Sequence, residues 1–293
     1  MNFVVKAFFL ATLLCSAEAD VTSVNTKLKK GGLIRYHHVE GSECDVVFLV
    51  GVGTAMSVTD YERVSSEIVT DSSHVVVFVD QSPNFFVKTN GKKFAKVVND
   101  VVENLGTIVP VCEGREPTFI IGGHSAGGMA AMNSIPTLTF SPSGYLGMDP
   151  FKINSKKDSI NIPTMVWGFA ETTCSVKINQ AGKALYEISQ EDERVFYRVD
   201  NKDVKHCSFT DKGCPIVCGQ GPTAPAVRKS VGEATKKFVK AIADSNFDRS
   251  QFEIVTPEDL QMDLFVNSAC VDCEPVTAQE PVKAQDPVAV PAL

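Results

Sequence analysis

Two short stretches, Val46-Val47-Phe48-Leu49-Val50 and Val75-Val76-Val77-Phe78-Val79, contain no polar residue at all. A strand with one face in water alternates apolar and polar side chains. One that is apolar at every position needs cover on both faces, as in a parallel sheet layered between helices. Between the two runs, Tyr61, Val64, Ile68 and Val69 recur at helical spacing, and after them Phe94, Val97, Val98, Val101, Val102 and Leu105 do the same before Gly106. Further strand-like runs at 118–121, 144–148, 165–169 and 195–199 are interleaved with helical patterns at 181–188 and over Val227, Val231, Ala234, Phe238 and Ile242. This order predicts an α/β fold, a mostly parallel central sheet with helices on both faces.

The run at 118–121 leads directly into Gly123-His124-Ser125-Ala126-Gly127. In a G-x-S-x-G arrangement the serine sits on a sharp strand-to-helix turn, and the glycines remove side chains that would clash as the backbone doubles back. Three fixed positions arise by chance in roughly one random chain in ten of this length, so the context has to carry the reading. That context is a strand before the motif and a small, apolar helix start after it, Gly128 to Met132.

A serine hydroxyl needs a base to become a nucleophile, and the base needs an acid to orient it. In this strand–turn–helix context the order is nucleophile, acid, histidine. Of the five histidines, His206 alone follows Ser125, and it comes after the strand-like run 195–199 by a short polar loop. His37, His38 and His74 precede the turn and read as structural or exposed. His124, next to the serine, reads as packing beneath the turn. Two carboxylates compete for the acid, Asp149 at the end of run 144–148 and Glu171 at the end of run 165–169. Asp149 is preferred because its short side chain suits a turn stiffened by Pro150. An oxyanion requires backbone N–H donors, expected from Ala126 and from Val52 in Gly51-Val52-Gly53-Thr54-Ala55. That glycine loop lacks the third glycine and immediate helix of a dinucleotide fingerprint, so no cofactor is expected.

With these residues placed, the chain resembles the α/β-hydrolases, and more narrowly chlorophyllase, cutinase-type and platelet-activating-factor acetylhydrolase-like esterases, over about residues 44–245. Gly123-His124-Ser125-Ala126-Gly127-Gly128 is similar to the chlorophyllase lipase motif, which commonly has arginine at the position of Ala126. Leu146-Gly147-Met148-Asp149-Pro150 is similar to the segment of the family's catalytic aspartate, and His206-Cys207-Ser208-Phe209 to its histidine segment. Gly51 to Ala55 corresponds to the oxyanion loop, with Val50 where a histidine is often found. The resemblance implies a serine esterase that takes a small-molecule ester. Phe85, Phe86, Trp167 and Phe169 near strand ends suggest an apolar one, lipid or chlorophyll-like. The rival from another class is a non-catalytic binding protein built on the same fold.

The rest of the chain sets the setting. Lys6, an apolar stretch to Cys15 and Ala17-Glu18-Ala19 read as a secretory signal over 1–19, followed by the hydrolase domain over 20–273. Nine cysteines, eight of them after Cys15, fit disulfides in an exported protein, with roughly a hundred connectivities open. A bridge within Cys207, Cys214 and Cys218 would pin the His206 loop. Cys270 and Cys273 lack a second pair, so no metal site is expected. Net charge of −7 without a basic stripe argues against nucleic acid, and no later apolar stretch is long enough to span a membrane. Residues 274–293 form an imperfect Pro-Val repeat, expected to be an extended, disordered tail. Secretion is the expected localisation. For a chlorophyll substrate the alternative is a plastid reached through the secretory route, because 21–36 is basic and acid-free, though that stretch equally suits the first strands.

Overall fold

The computed structural model describes residues 20–29, 31–81, 89–151, 160–169, 179–213, 219–255 and 260–268. The signal segment 1–19, Phe85, Phe86, Glu171, Cys174, Cys214, Cys218, Cys270, Cys273 and the repeat 274–293 lie outside the described residues. In chain order the elements are β1 (Val21–Lys27), β2 (Leu33–Val39), β3 (Val46–Gly51), α1 (Glu62–Ile68), β4 (His74–Asp80), α2 (Gly91–Glu103), α3 (Leu105–Ile108), β5 (Thr118–His124) and α4 (Ala126–Ser134). They continue with β6 (Gly144–Met148), β7 (Thr164–Phe169), α5 (Asn179–Ile188), β8 (Arg194–Val199), α6 (Ala224–Asp244), α7 (Arg249–Phe252) and β9 (Met262–Val266). Residues 21–36, basic and acid-free, supply β1 and most of β2.

The strands form one nine-stranded sheet in the order β1-β2-β4-β3-β5-β6-β7-β8-β9. From β4 to β8 every pairing is parallel, and the antiparallel pairs β1·β2, β2·β4 and β8·β9 lie toward the two edges. All six residues of β3 are buried, as its unbroken apolar run requires. Because side chains alternate across a strand, the same strands feed two separate cores. Val46, Phe48, Val50, Phe78, Leu146 and Trp167 pack on one face with Val64 and Ile68 of α1 and Val227, Val231 and Phe238 of α6. Val47, Leu49, Val77, Ile121 and Val166 pack on the other with Phe94, Val98 and Val101 of α2, Ala130 and Ala131 of α4, and Leu185 of α5. Each such buried Val, Leu or Phe contributes about 1.5 to 3 kcal/mol relative to exposure, so the helices are held by the strands they cover. Among the described residues no helix is long and apolar enough to cross a membrane.

The disulfide Cys44–Cys112 joins the residue two before β3 to the turn that precedes β5, with Cα atoms 5.3 Å apart. It clamps the leading ends of two adjacent central strands. At their trailing ends the order of connection reverses: β4 lies to one side of β3 and β5 to the other. Such a reversal leaves a crevice beyond the carboxyl ends of the strands, where α/β sheets bind their ligands.

Candidate active site

The turn between β5 and α4 has room only because of glycine. In register, Gly51 of β3, Gly123 of β5 and Gly147 of β6 lie side by side across the sheet. A Cβ on Gly127 would meet the carbonyl carbon and oxygen of Gly51 at 2.2 Å, and one on Gly123 would meet the Gly127 carbonyl carbon at 2.5 Å. Any other residue would push α4 off the sheet. Ser125 takes up the reversal with φ 53° and ψ −123°, a region that costs a non-glycine residue roughly 1 to 3 kcal/mol. Its backbone is fastened to the end of β6: the Ser125 N–H donates to the Met148 carbonyl at 3.1 Å, and the Phe151 N–H donates to the Ser125 carbonyl at 2.9 Å.

Asp149 lies between those two anchor points. It too has a positive φ, 40°, and its N–H donates to the Trp167 carbonyl at 2.8 Å. The carboxylate is buried, and its Oδ2 accepts a hydrogen bond from His206 Nδ1 at 2.6 Å. A carboxylate can only accept, so Nδ1 of His206 carries the hydrogen of this bond. Burial pushes the Asp149 carboxyl above the usual carboxylate range, while the His206 hydrogen bond and charge and the Phe169 N–H pull the other way. The structure therefore brings Asp149 and His206 into direct contact across 57 positions of sequence. Ser125 Oγ has no hydrogen bond to His206 among the described residues. The serine is placed by its backbone, and only 5% of it is exposed.

His206 stands on a loop, and the loop is fastened from several sides. Ser208 Oγ accepts from the Lys205 N–H at 3.0 Å and donates to the Gln220 carbonyl at 2.6 Å. Arg228, buried on α6, donates through Nη1 to the carbonyls of Ser208 and Thr210 at 3.3 and 3.0 Å. Asp211 accepts from the Glu62 and Arg63 N–H groups at 2.7 and 3.0 Å, closing the first turn of α1 with a side chain from the histidine loop. Cys207 is disulfide-bonded; since Cys44 pairs with Cys112, its partner lies outside the described residues.

The glycine loop after β3 corrects one expectation. The Val52 N–H donates to the Val79 carbonyl at 3.2 Å, continuing the β3·β4 ladder for one residue, so this amide points into the sheet and not toward the serine. Gly53 N–H donates to Tyr61 Oη at 2.9 Å, and Met56 N–H donates to the Gly53 carbonyl at 3.2 Å. Ala55 has φ 63°. The turns at the carboxyl ends of β3, β5 and β6 thus each hold a non-glycine residue at positive φ. Ala126, the first residue of α4, has an N–H with no acceptor inside the helix.

Two aromatic residues expected near the substrate are core residues. Trp167 stacks on Tyr197 with centroids 4.5 Å apart and Phe169 on Phe209 at 5.3 Å, and all four are buried. His124 and Tyr61 join the surroundings of the site through contacts that no motif announces. His124 is fully buried, Tyr61 donates to its Nδ1 at 2.9 Å, and its Nε2 donates to the His206 carbonyl at 2.9 Å. No spacing signal could have joined them, because the two residues are 63 positions apart.

Among the described residues no group of three His, Cys, Asp or Glu side chains converges as a metal site would require. In comparison with known proteins, no protein-family model matches the chain, and no curated protein sequence matches it.

Proposed function

We propose that this chain is a serine hydrolase of carboxylic esters with an α/β-hydrolase fold. Ser125 is the nucleophile, His206 the base and Asp149 the acid that orients it. The observation that carries the reading is the buried Asp149–His206 hydrogen bond at 2.6 Å beside a serine held at positive φ, all at the carboxyl edge of a parallel sheet. Asp149 keeps Nε2 of His206 free to take the serine proton as Ser125 Oγ bonds to the ester carbonyl carbon. The tetrahedral intermediate collapses as His206 returns the proton to the departing alkoxide, leaving an acyl-serine. Water, deprotonated by the same histidine, then releases the acid and regenerates the hydroxyl.

The oxyanion is received by the Ala126 N–H at the head of α4, whose aligned peptide dipoles favour negative charge there. For the second donor we assign Thr54 in place of Val52. The amides of Val52, Gly53 and Met56 are already committed, and Thr54 is half-buried where Ala55 is buried. An ester of apolar character suits the resemblance to chlorophyllase-like and lipase-like enzymes. The disulfides suit export through an oxidising compartment, which supports secretion.

Ser125→Ala should abolish hydrolysis of short p-nitrophenyl esters and labelling by a fluorophosphonate probe. A wild-type protein that is folded yet silent toward both would favour a binding role, and an unchanged rate in the variant would remove Ser125 from the mechanism.

A further inference from the structure

We propose that His124 is a positioning residue which, with Tyr61, ties the backbone of His206 to the glycine loop after β3, so that base and oxyanion loop keep one geometry through the reaction. The inference rests on the esterase reading above and adds two residues to it.

The direction of every link in this chain of hydrogen bonds follows from counting donors and acceptors. The His206 carbonyl can only accept, so His124 Nε2 carries a hydrogen. Complete burial and the neighbouring His206 hold the His124 imidazole well below its ordinary range, so it stays neutral and Nδ1 keeps a lone pair. Tyr61 must therefore donate its hydroxyl hydrogen to Nδ1, at 2.9 Å. Its oxygen is left as the acceptor for the Gly53 N–H, also at 2.9 Å. The chain runs Gly53 to Tyr61 to His124 to His206, and none of the four groups can reverse its role. Burying such a chain is worthwhile only when complete, because each unpaired member would carry its own desolvation penalty.

Packing holds the chain in place. Tyr61 is fully buried and stacks on Phe78 at 4.4 Å, and the His124 ring lies 4.6 Å from that of His206 and 5.6 Å from Phe209. Gly53 is constrained as well: a Cβ there would lie 2.9 Å from His124 Nδ1 and 3.3 Å from Ser125 Cβ. A network that touches the oxyanion loop at one end and the base at the other does more than fill space beneath the turn. When His206 becomes an imidazolium during turnover, the ring beside it stays uncharged and adds no repulsion.

The test separates the links. Tyr61→Phe deletes one oxygen from a ring that stays stacked on Phe78. It should lower kcat on p-nitrophenyl butyrate about 10-fold, the scale of one lost neutral hydrogen bond, with KM unchanged within about 2-fold. His124→Asn keeps an acceptor near Tyr61 but loses reach to His206, whereas His124→Gln restores a donor at the Nε2 position; Gln should recover most of the kcat that Asn loses. In the double variant Tyr61→Phe/His124→Asn the losses should be less than multiplicative, because both break one chain. Wild-type kcat in Tyr61→Phe, or multiplicative losses in the double variant, would overturn the proposal while leaving the esterase assignment intact. A wild-type protein inert to esters and to fluorophosphonate removes both.

Discussion

Replacing Asp149 by asparagine tests the site most sharply, because the structure predicts the result for both orientations of the amide. With Nδ2 toward His206, the amide donates to Nδ1, the imidazole proton moves to Nε2, and the base can no longer accept from Ser125. With Oδ1 toward His206 the tautomer is preserved, but the NH2 group takes the buried place of Asp149 Oδ1, where no acceptor among the described residues meets it and the neighbouring backbone group, the Phe169 N–H, is itself a donor. An unsatisfied buried donor costs about 1 to 3 kcal/mol, so the productive orientation is the minor one. The neutral amide also forfeits the charge-assisted bond to the imidazolium, about 1.5 to 3 kcal/mol more. Together these raise the barrier by roughly 3 to 6 kcal/mol, a fall in kcat of roughly 10² to 10⁴-fold. Initial rates on p-nitrophenyl butyrate at fixed pH give kcat, with KM expected to stay near wild type. Burial raises the Asp149 carboxyl, so its ionised form opposes folding near neutral pH, and the variant should melt no lower than wild type. A fall smaller than about 10-fold would refute Asp149 as the orienting acid and move the assignment to Glu171.

Three further outcomes are expected. Cys44→Ser/Cys112→Ser opens a loop whose ends are 68 positions apart, a loss of about 4 kcal/mol and roughly 8 to 16 °C in Tm; a shift below about 2 °C by calorimetry would contradict it. Burial lowers His37 to about 3 and also lowers His74 and His124, so the folded protein leaves unprotonated three imidazoles that the unfolded chain protonates below about pH 6.5. Stability should then fall on acidification below that pH by up to about 4 kcal/mol per pH unit, measurable as urea midpoints between pH 7 and 4.5, and His37→Gln should flatten the slope by about a third. Arg228→Met frees the Ser208 and Thr210 carbonyls that steady the histidine loop. It should lower kcat about 10-fold by loosening the His206 loop, yet change unfolding free energy by less than about 2 kcal/mol, since burying the guanidinium carried its own penalty; an unchanged kcat would show that the other ties suffice.

Patterning along the chain carries the α/β layering and the candidate residues of the site. Unbroken apolar runs such as Val46 to Val50 demand cover on both faces, and amphipathic helices between them supply it, so the parallel sheet was legible from patterning alone. Ser125 was legible because a strand, a glycine-bracketed serine and a small-residue helix are local in the chain. His206 was legible by order, as the one histidine after the serine, and Asp149 by its place at a strand end, though spacing could not choose it over Glu171. Contacts between distant segments are set only when the chain folds. The antiparallel docking of β1 on β2 and of β9 on β8 at the two edges has no local signal, and the pairing of Cys44 with Cys112 was one of many. Val52 looked like a free donor until the β3·β4 register extended one residue further and took its N–H. Trp167 and Phe169 looked like pocket walls until alternation turned them into the core. The chain from Gly53 through Tyr61 and His124 to His206 has no sequence signature at all, because a buried hydrogen bond is set by where folding brings two atoms, and pattern records only which side of its own element a residue faces.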